Sequence, residues 1–215
     1  MSQAIVIAGT DTDVGKTVFA AALTAAMGAC YWKPVQAGLA GETDSEIVRR
    51  LCGLPPDRVL PEAYRLNTAA SPHYAAARDG IEIDTGALNP PRTSAPLVIE
   101  CAGGLAVPLT PKVLQIDVLA RWRLPVVLVA STRIGTINHS LLSLEALRRR
   151  AIPILGLAFA GDEAPESARI IGELGSVKIL GSLPYLDPLN AVTLRAAFAE
   201  NFDIAEILGL GTGGP

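Results

Sequence analysis

The sequence predicts an α/β fold in three layers, with a mostly parallel central sheet between helices, and three observations predict it. Short apolar runs alternate with helical stretches along nearly all of the 215 residues, the β-α-β order that calls for parallel strands. Several runs are apolar on consecutive residues instead of every second one, as in strands covered on both faces. Half of the residues are hydrophobic while only 5% are aromatic and 18% charged, so the core is built from Ala, Val, Ile and Leu. The length suits one such domain, expected over 1–208, and a Gly-rich tail at 209–215 is expected to fray.

Strands are predicted at 4–8, 31–35, 97–101, 126–130, 154–160 and 177–180, bounded by Gly, Pro or polar residues. Helices are predicted between them at 16–28, 43–52, 114–122, 138–150, 165–174 and 191–200. Thr43 followed three residues later by Glu46 matches a capping box, and Gly53 with Pro55 and Pro56 ends that helix. The stretch 54–95, rich in Pro and small residues, reads as an irregular excursion with short helices at 71–79 and 84–88.

A net charge of −3 offers no basic surface for nucleic acid. The densest basic run, Arg148 to Arg150, reads as the last turn of a helix, where cations meet the negative end of the dipole. Cys30, Cys52 and Cys101 show no metal-ligand spacing and read as buried thiols in a reducing compartment. The N-terminus lacks the pattern of a secretory signal, and no apolar run reaches membrane-spanning length, so no membrane partner and a cytoplasmic location are expected.

The first predicted strand runs directly into Gly9-Thr-Asp-Thr-Asp-Val-Gly-Lys-Thr17 and then into an Ala-rich helix. Strand, loop, Gly-Lys-Thr and helix is the setting of a phosphate-binding loop, and places the chain among three-layer P-loop NTPase-type folds. Successive loop N–H groups and the helix N-terminus attract an anion. Lys16 reaches the terminal phosphates and the Thr17 hydroxyl is a ligand for Mg²⁺. The loop departs from the usual pattern in one place: the expected glycine position is Thr10, with Gly9 one step earlier.

A metal on a triphosphate wants oxygen ligands. Glu100 ends an apolar strand, which puts a carboxylate in the crevice at the sheet's carboxyl edge. Asp44 stands at a helix start, which suits either a ligand or a residue complementing the dipole. Lys33 ends the predicted second strand beside the loop, where it can stabilise charge on a transferring phosphoryl group.

Taken with Lys33-Pro-Val-Gln36 and Gly38, Thr43-Asp44, Ser71-Pro-His73, Glu100 before Ala102-Gly103-Gly104, and Gly135-Thr-Ile-Asn-His139, the loop makes a series that resembles dethiobiotin synthetases from about residue 4 to residue 186. The resemblance implies an ATP- and Mg²⁺-dependent ring closure in biotin biosynthesis, in which 7,8-diaminopelargonate takes up CO₂, supplied through bicarbonate, as a carbamate. It implies that Lys33 and Lys16 are catalytic with Thr12 near the substrate amines, and that Thr17, Asp44 and Glu100 hold the metal. It further implies nucleotide contacts at Asp13, Val14, Gly15, Val18, Cys101, Ala102, Gly103, Pro184, Tyr185 and Leu186. Substrate contacts are implied at Thr12, Lys33 and Ala37, and a homodimer in which Gly135, Thr136, Ile137 and Asn138 receive the substrate carboxylate from the neighbouring subunit.

Three positions differ from the pattern that the resemblance supplies. Ala37 replaces a hydroxyl residue, Cys101 replaces a Gly and is expected to narrow the room beside the phosphates, and Ala160-Gly161-Asp162 stands where Asn-Asp reads the adenine. Relaxed base selectivity is therefore expected. Asn138 also reads as a helix cap, and His73 and His139 as structural. Two other readings compete. One is a dimeric ATPase switch of the ParA/MinD type, against which stands the absence of any lysine at positions 10–14. The other is a synthetase acting on another acid, of an amidotransferase type that needs a further glutaminase domain.

Overall fold

A computed structural model describes residues 3–208; the expected tail at 209–215 lies outside the described residues. In chain order the elements are β1 (Ala4–Gly9), α1 (Lys16–Met27), β2 (Cys30–Trp32), β3 (Val35–Ala37), α2 (Asp44–Cys52), β4 (Tyr64–Leu66), α3 (Pro72–Asp79) and β5 (Leu97–Gly104). Then come β6 (Pro108–Thr110), β7 (Val113–Leu114), α4 (Gln115–Trp122), β8 (Val126–Ser131), α5 (Thr136–Arg149), β9 (Ile154–Ala160), α6 (Pro165–Gly175), β10 (Ile179–Leu183), α7 (Ala191–Asn201) and α8 (Ile204–Ile207). The main sheet has six strands in the order β10-β9-β8-β1-β5-β2, and every pairing in it is parallel.

Side chains alternate across this sheet with period two. Ile5 and Ile7 of β1, Val98 of β5 and Val127 and Val129 of β8 pack on one face against Phe19 and Leu23 of α1, Val48 and Leu51 of α2, and Leu194 and Phe198 of α7. Val6 and Ala8, Leu97 and Ile99, and Val126 and Leu128 pack on the other face against Ile116 and Leu119 of α4, Leu144 and Leu147 of α5, and Ile171 of α6. Both faces of β1 are thus dry, which is why its sequence is apolar without interruption. The three-layer expectation holds.

Local chemistry explains the ends of the elements. Thr43 N donates to Glu46 Oε2 at 2.7 Å while Glu46 N donates to Thr43 Oγ1 at 3.4 Å, the expected capping box. Gly53 closes α2 in the left-handed region at φ 64. At the end of α5, Arg148 donates to the Gly175 and Ser176 carbonyls, Arg149 pairs with Glu145 at 2.7 Å and Arg150 with Asp117 at 3.1 Å. The basic run is spent on partners within the chain, at the surface.

The structure differs from expectation in four places. The predicted strand 31–35 is interrupted, because Pro34 has no N–H to continue the ladder. β2 stops at Trp32, and β3 leaves the main sheet to pair with β4. The predicted helix 84–88 is a turn, because the Asp84 carboxylate accepts the Gly86 N–H at 2.8 Å and holds the backbone out of helical geometry. α5 begins at Thr136 behind a left-handed Gly135 (φ 93), so Asn138 lies inside the first turn and is not a cap. The last sheet strand lies at Ile179–Leu183, later than the predicted 177–180.

The excursion 54–95 is anchored more firmly than its composition suggests. Leu66, Ala75, Ala76, Ile83 and Leu88 form a satellite core with Val35, Leu109 and Val118. Trp122 Nε1 and Arg121 of α4 donate to the Leu88 carbonyl at 2.8 and 2.9 Å.

Candidate active site

The site lies where β1, β2 and β5 end. After Gly9 the chain turns through the loop, with Asp13 (φ 54) and Gly15 (φ 90) in the left-handed region. Left-handed residues alternating with ordinary ones turn successive N–H groups towards one concave side. At Gly15 a side chain would also collide with Ala160 Cβ. Lys16, buried at the first position of α1, donates from Nζ to the Asp11 carbonyl at 2.7 Å. Its path explains the displaced glycine: a Cβ on Gly9 would lie 2.7 Å from Lys16 Nζ and 2.8 Å from its Cδ. Burial lowers the lysine's pKa from its ordinary value, and the neighbouring Lys33 charge adds to that, against the attraction of Glu100.

Opposite the loop stand two acids and a second lysine. Glu100 is fully buried and, being one residue out of phase with Ile99 and Cys101, faces the α1 side of the sheet. Its Oε1 lies 2.8 Å from Thr17 Oγ1 and 3.1 Å from Lys33 Nζ. Its Oε2 accepts the Tyr31 hydroxyl at 2.8 Å. Lys33, set at the end of β2 by the break at Pro34, also pairs with Asp44. Burial alone would lower its pKa, but the Glu100 and Asp44 carboxylates outweigh that and hold it above the ordinary lysine value. The capping box fixes Asp44 at the start of α2, and Gln36 Oε1 accepts the Asp44 N–H at 3.2 Å. Tyr31 was not singled out in the sequence, and Gln36 entered only as part of the Lys33-Pro-Val-Gln36 motif, with no role of its own. The signal for Tyr31 was there: it lies two residues before Lys33, on the same side of the strand.

The Thr17 hydroxyl lies 3.1 Å from Asp44 Oδ1 as well as 2.8 Å from Glu100 Oε1. One hydroxyl proton serves only one of these oxygens, so the other faces a lone pair, an arrangement that a cation relieves. Among the described residues no cluster of three or more His, Cys, Asp or Glu is poised for a metal. Two carboxylates and a hydroxyl are instead the partial, all-oxygen set that suits Mg²⁺ completed by phosphate oxygens and water.

Two cavities meet here. One of about 350 Å³ is lined by Thr12, Asp13, Gly15, Lys16, Thr17 and Val18 from loop and helix, with Lys33, Asp44, Glu100 and Gly103 opposite. A second, of about 700 Å³, shares Thr12, Asp13, Lys33, Asp44 and Gly103 and extends over Gln36, Ala37, Ser71, Pro72 and Ala102. Thr12 and Lys33 stand at the junction. Cys101 lines neither: its side chain points into the core beneath α4 and α5, where burial pushes the thiol up to about 12. The narrowing expected from this residue does not occur. His73 turns to Ser71, with its Nδ1 3.0 Å from the hydroxyl.

The remaining candidates lie elsewhere. Gly135, Thr136, Ile137 and Asn138 form the start of α5 beyond the end of β8 and line neither cavity. On that side of the loop is a separate cavity of about 420 Å³, lined by Asp11, Gly104, Leu105, His139 and Leu142. His139 Nδ1 lies 4.0 Å from Asp11 Oδ2. Ile134 just before α5 is fully exposed. Pro184, Tyr185 and Leu186 follow β10, with Tyr185 exposed.

A family model described as an AAA domain matches residues 3–193. The ATP-dependent dethiobiotin synthetase BioD of Rhodopseudomonas palustris strain HaA2 is 61% identical over 208 residues, 97% of this chain and 98% of that protein. The enzyme of the same name from Rhizorhabdus wittichii strain RW1 is 61% identical over 202 residues, 94% of this chain and 97% of its own length. Among solved structures, the septum site-determining protein MinD of Pyrococcus horikoshii complexed with Mg-ADP superposes with a TM-score of 0.57 at 16% identity, covering 99% of this chain and 97% of that one. The ATP complex of Cyanothece McdA gives 0.55 at 15% identity, with 97% and 96% covered. At such identities these two show the fold alone.

Proposed function

The chain belongs to the ATP-dependent dethiobiotin synthetase family, and from that premise we propose how its residues divide the work of making dethiobiotin. The phosphates of ATP occupy the smaller cavity, held by loop N–H groups and Lys16. The diamine, 7,8-diaminopelargonate, occupies the larger one. One amine adds to CO₂ and loses a proton, giving a carbamate. A carbamate oxygen then attacks the γ-phosphorus, and the bond to the β-γ bridging oxygen breaks to release ADP. The second amine attacks the carbamoyl carbon, phosphate leaves, and loss of the amine's proton leaves the closed ureido ring.

The observation that carries this reading is the place of Lys33 and Thr12, at the one junction of the two cavities. Carbamate and triphosphate are both anionic, so their approach needs fixed positive charge at that point. Lys33 supplies it from the substrate side and Lys16 from the phosphate side, while Thr12 orients the amines. Thr17, Asp44 and Glu100 would hold Mg²⁺, which when bound supplies Lewis-acid neutralisation of the phosphate oxygens. Ala37 contacts the substrate through its backbone alone, and Gly103 leaves room beside the phosphates.

A homodimer completes the site. The start of α5, Gly135 to Asn138, would meet the substrate carboxylate of a neighbouring copy, a reading supported by its position away from its own chain's cavities and by the exposed Ile134 and Leu142 beside it. Among the described residues no helix is long and apolar enough to cross a membrane, in keeping with a cytoplasmic enzyme.

The test is direct. Purified protein with Mg²⁺, ATP and bicarbonate should release phosphate only when the diamine is added, with dethiobiotin accumulating in equal amount. Phosphate release that ignores the diamine would overturn the proposal in favour of a nucleotide switch.

A further inference from the structure

Tyr31 is fully buried in β2, and its hydroxyl donates to Glu100 Oε2, the oxygen that neither Thr17 nor Lys33 contacts. The two oxygens of this carboxylate have different surroundings. Oε1 faces Thr17 and Lys33, while Oε2 has Tyr31 as its hydrogen-bond donor at 2.8 Å. We propose that Tyr31 is a positioning residue for Glu100: by donating to Oε2 it fixes the carboxylate plane so that Oε1 is presented to the metal edge of the phosphate cavity. The inference rests on the reading of Glu100 as a metal ligand given above.

The physical case is one of orientation. A glutamate carboxylate rotates broadly about its terminal torsion unless hydrogen bonds pin it. Lys33 and Thr17 both act on Oε1, and both are themselves engaged in the chemistry, so neither is a fixed support through a catalytic cycle. Tyr31 touches neither cavity. Its side chain is fully buried and belongs to the core cluster that also holds Val98 and Val48, and its backbone carbonyl accepts the Leu60 N–H at 2.9 Å. A rigid ring in a dry core gives the phenol one place to point. Outer partners of this kind orient metal ligands, and their loss typically costs about 10- to 100-fold in metal affinity.

The test measures ADP affinity by calorimetry in excess Mg²⁺ and in EDTA, without diamine; the ratio of the two affinities reports metal coupling. Tyr31→Phe should lower that ratio about 10-fold while leaving the affinity in EDTA unchanged. Replacing Tyr31 by 4-aminophenylalanine, which keeps a neutral donor at the same place, should restore it. Replacing it by 4-methylphenylalanine, which fills the space of the hydroxyl without a donor, should not, and this pair decides the matter even if Tyr31→Phe does not fold. Glu100→Gln should lower the ratio too, and Tyr31→Phe added to it should change nothing more.

A wild-type ratio in the 4-methylphenylalanine protein, with Glu100→Gln lowering it, would overturn the inference alone. Equal losses with and without the metal would overturn it too, as the mark of a merely structural role. A wild-type ratio in Glu100→Gln would remove the metal role of Glu100 itself, and the inference with it.

Discussion

At the residue scale the site turns on two lysines held in opposite ways. Lys16 leans on a backbone carbonyl and has its charge penalised by burial; Lys33 is clamped by two carboxylates. Lys16→Ala should abolish turnover and weaken nucleotide binding. Lys33→Ala should cut kcat by roughly 10²–10³-fold with little change in nucleotide affinity, and steady-state rates beside calorimetric ADP affinities separate the two. A Lys33→Ala protein with full turnover would remove its catalytic assignment. Cys101 gives a different kind of prediction. With its thiol pushed up to about 12 by burial, iodoacetamide at pH 8 should leave it unmodified in the folded protein and modify it after denaturation, as peptide mass spectrometry would show. Lys16, Thr17, Lys33 and Asp44 were legible in the sequence because each stands at a strand end or helix start that its neighbours announce, and Glu100 because it is the one acid in an apolar run, although β5 continues past it to Gly104. Tyr31 was not singled out, and Gln36 was named in a motif but given no role. Their importance comes from bonds to Glu100 and to the Asp44 backbone, residues 69 and 8 positions away, and apolar patterning is blind to such partners.

At the element scale the starts of helices do most of the positioning. Thr43 both caps α2 and sets the residue that follows it at the cavity edge. Thr43→Ala should therefore cost about 1 kcal/mol of stability and also raise the Mg²⁺ concentration needed for half-maximal activity; denaturant melts and a metal titration measure the two effects separately. The contacts proposed for the nucleotide base fall at the ends of β9 and β10. Ala160 presses on Gly15 of the loop, yet Ala160-Gly161-Asp162 offers no amide side chain to read an adenine edge, and Tyr185 is exposed. CTP and GTP should therefore support turnover at an appreciable fraction of the ATP rate at equal concentration; a large preference for ATP would refute this. Three of the elements misjudged from sequence share one cause. Pro34, the side chain of Asp84 and the left-handed Gly135 act through local backbone geometry, which hydrophobic period does not record. In the segment 54–95 the helix predicted at 71–79 is present as α3, but how the segment is anchored was illegible for a different reason. Its order comes from distant donors such as Arg121 and Trp122 on α4.

At the scale of the whole molecule, sheet order decides where chemistry can happen. β1 lies between β5 and β8, so the loop leaving β1 is flanked by the ends of two later strands, and the crevice opens at the point where the strand sequence reverses direction. That the crevice lies at the carboxyl edge of a parallel sheet was readable from the alternation of strands and helices. The order itself was not, since each pairing joins residues far apart in the chain. The net charge of −3 is equally uninformative about the site, where two ammonium groups and two carboxylates nearly balance. That balance has an outcome for the empty enzyme. With Lys33 lodged between Asp44 and Glu100, the seat proposed for the divalent ion already has a tenant, so free Mg²⁺ should find little unmet negative charge there. Mg²⁺ alone should leave the thermal midpoint unmoved while Mg-ADP raises it, because the ion gains entry only as the escort of a nucleotide.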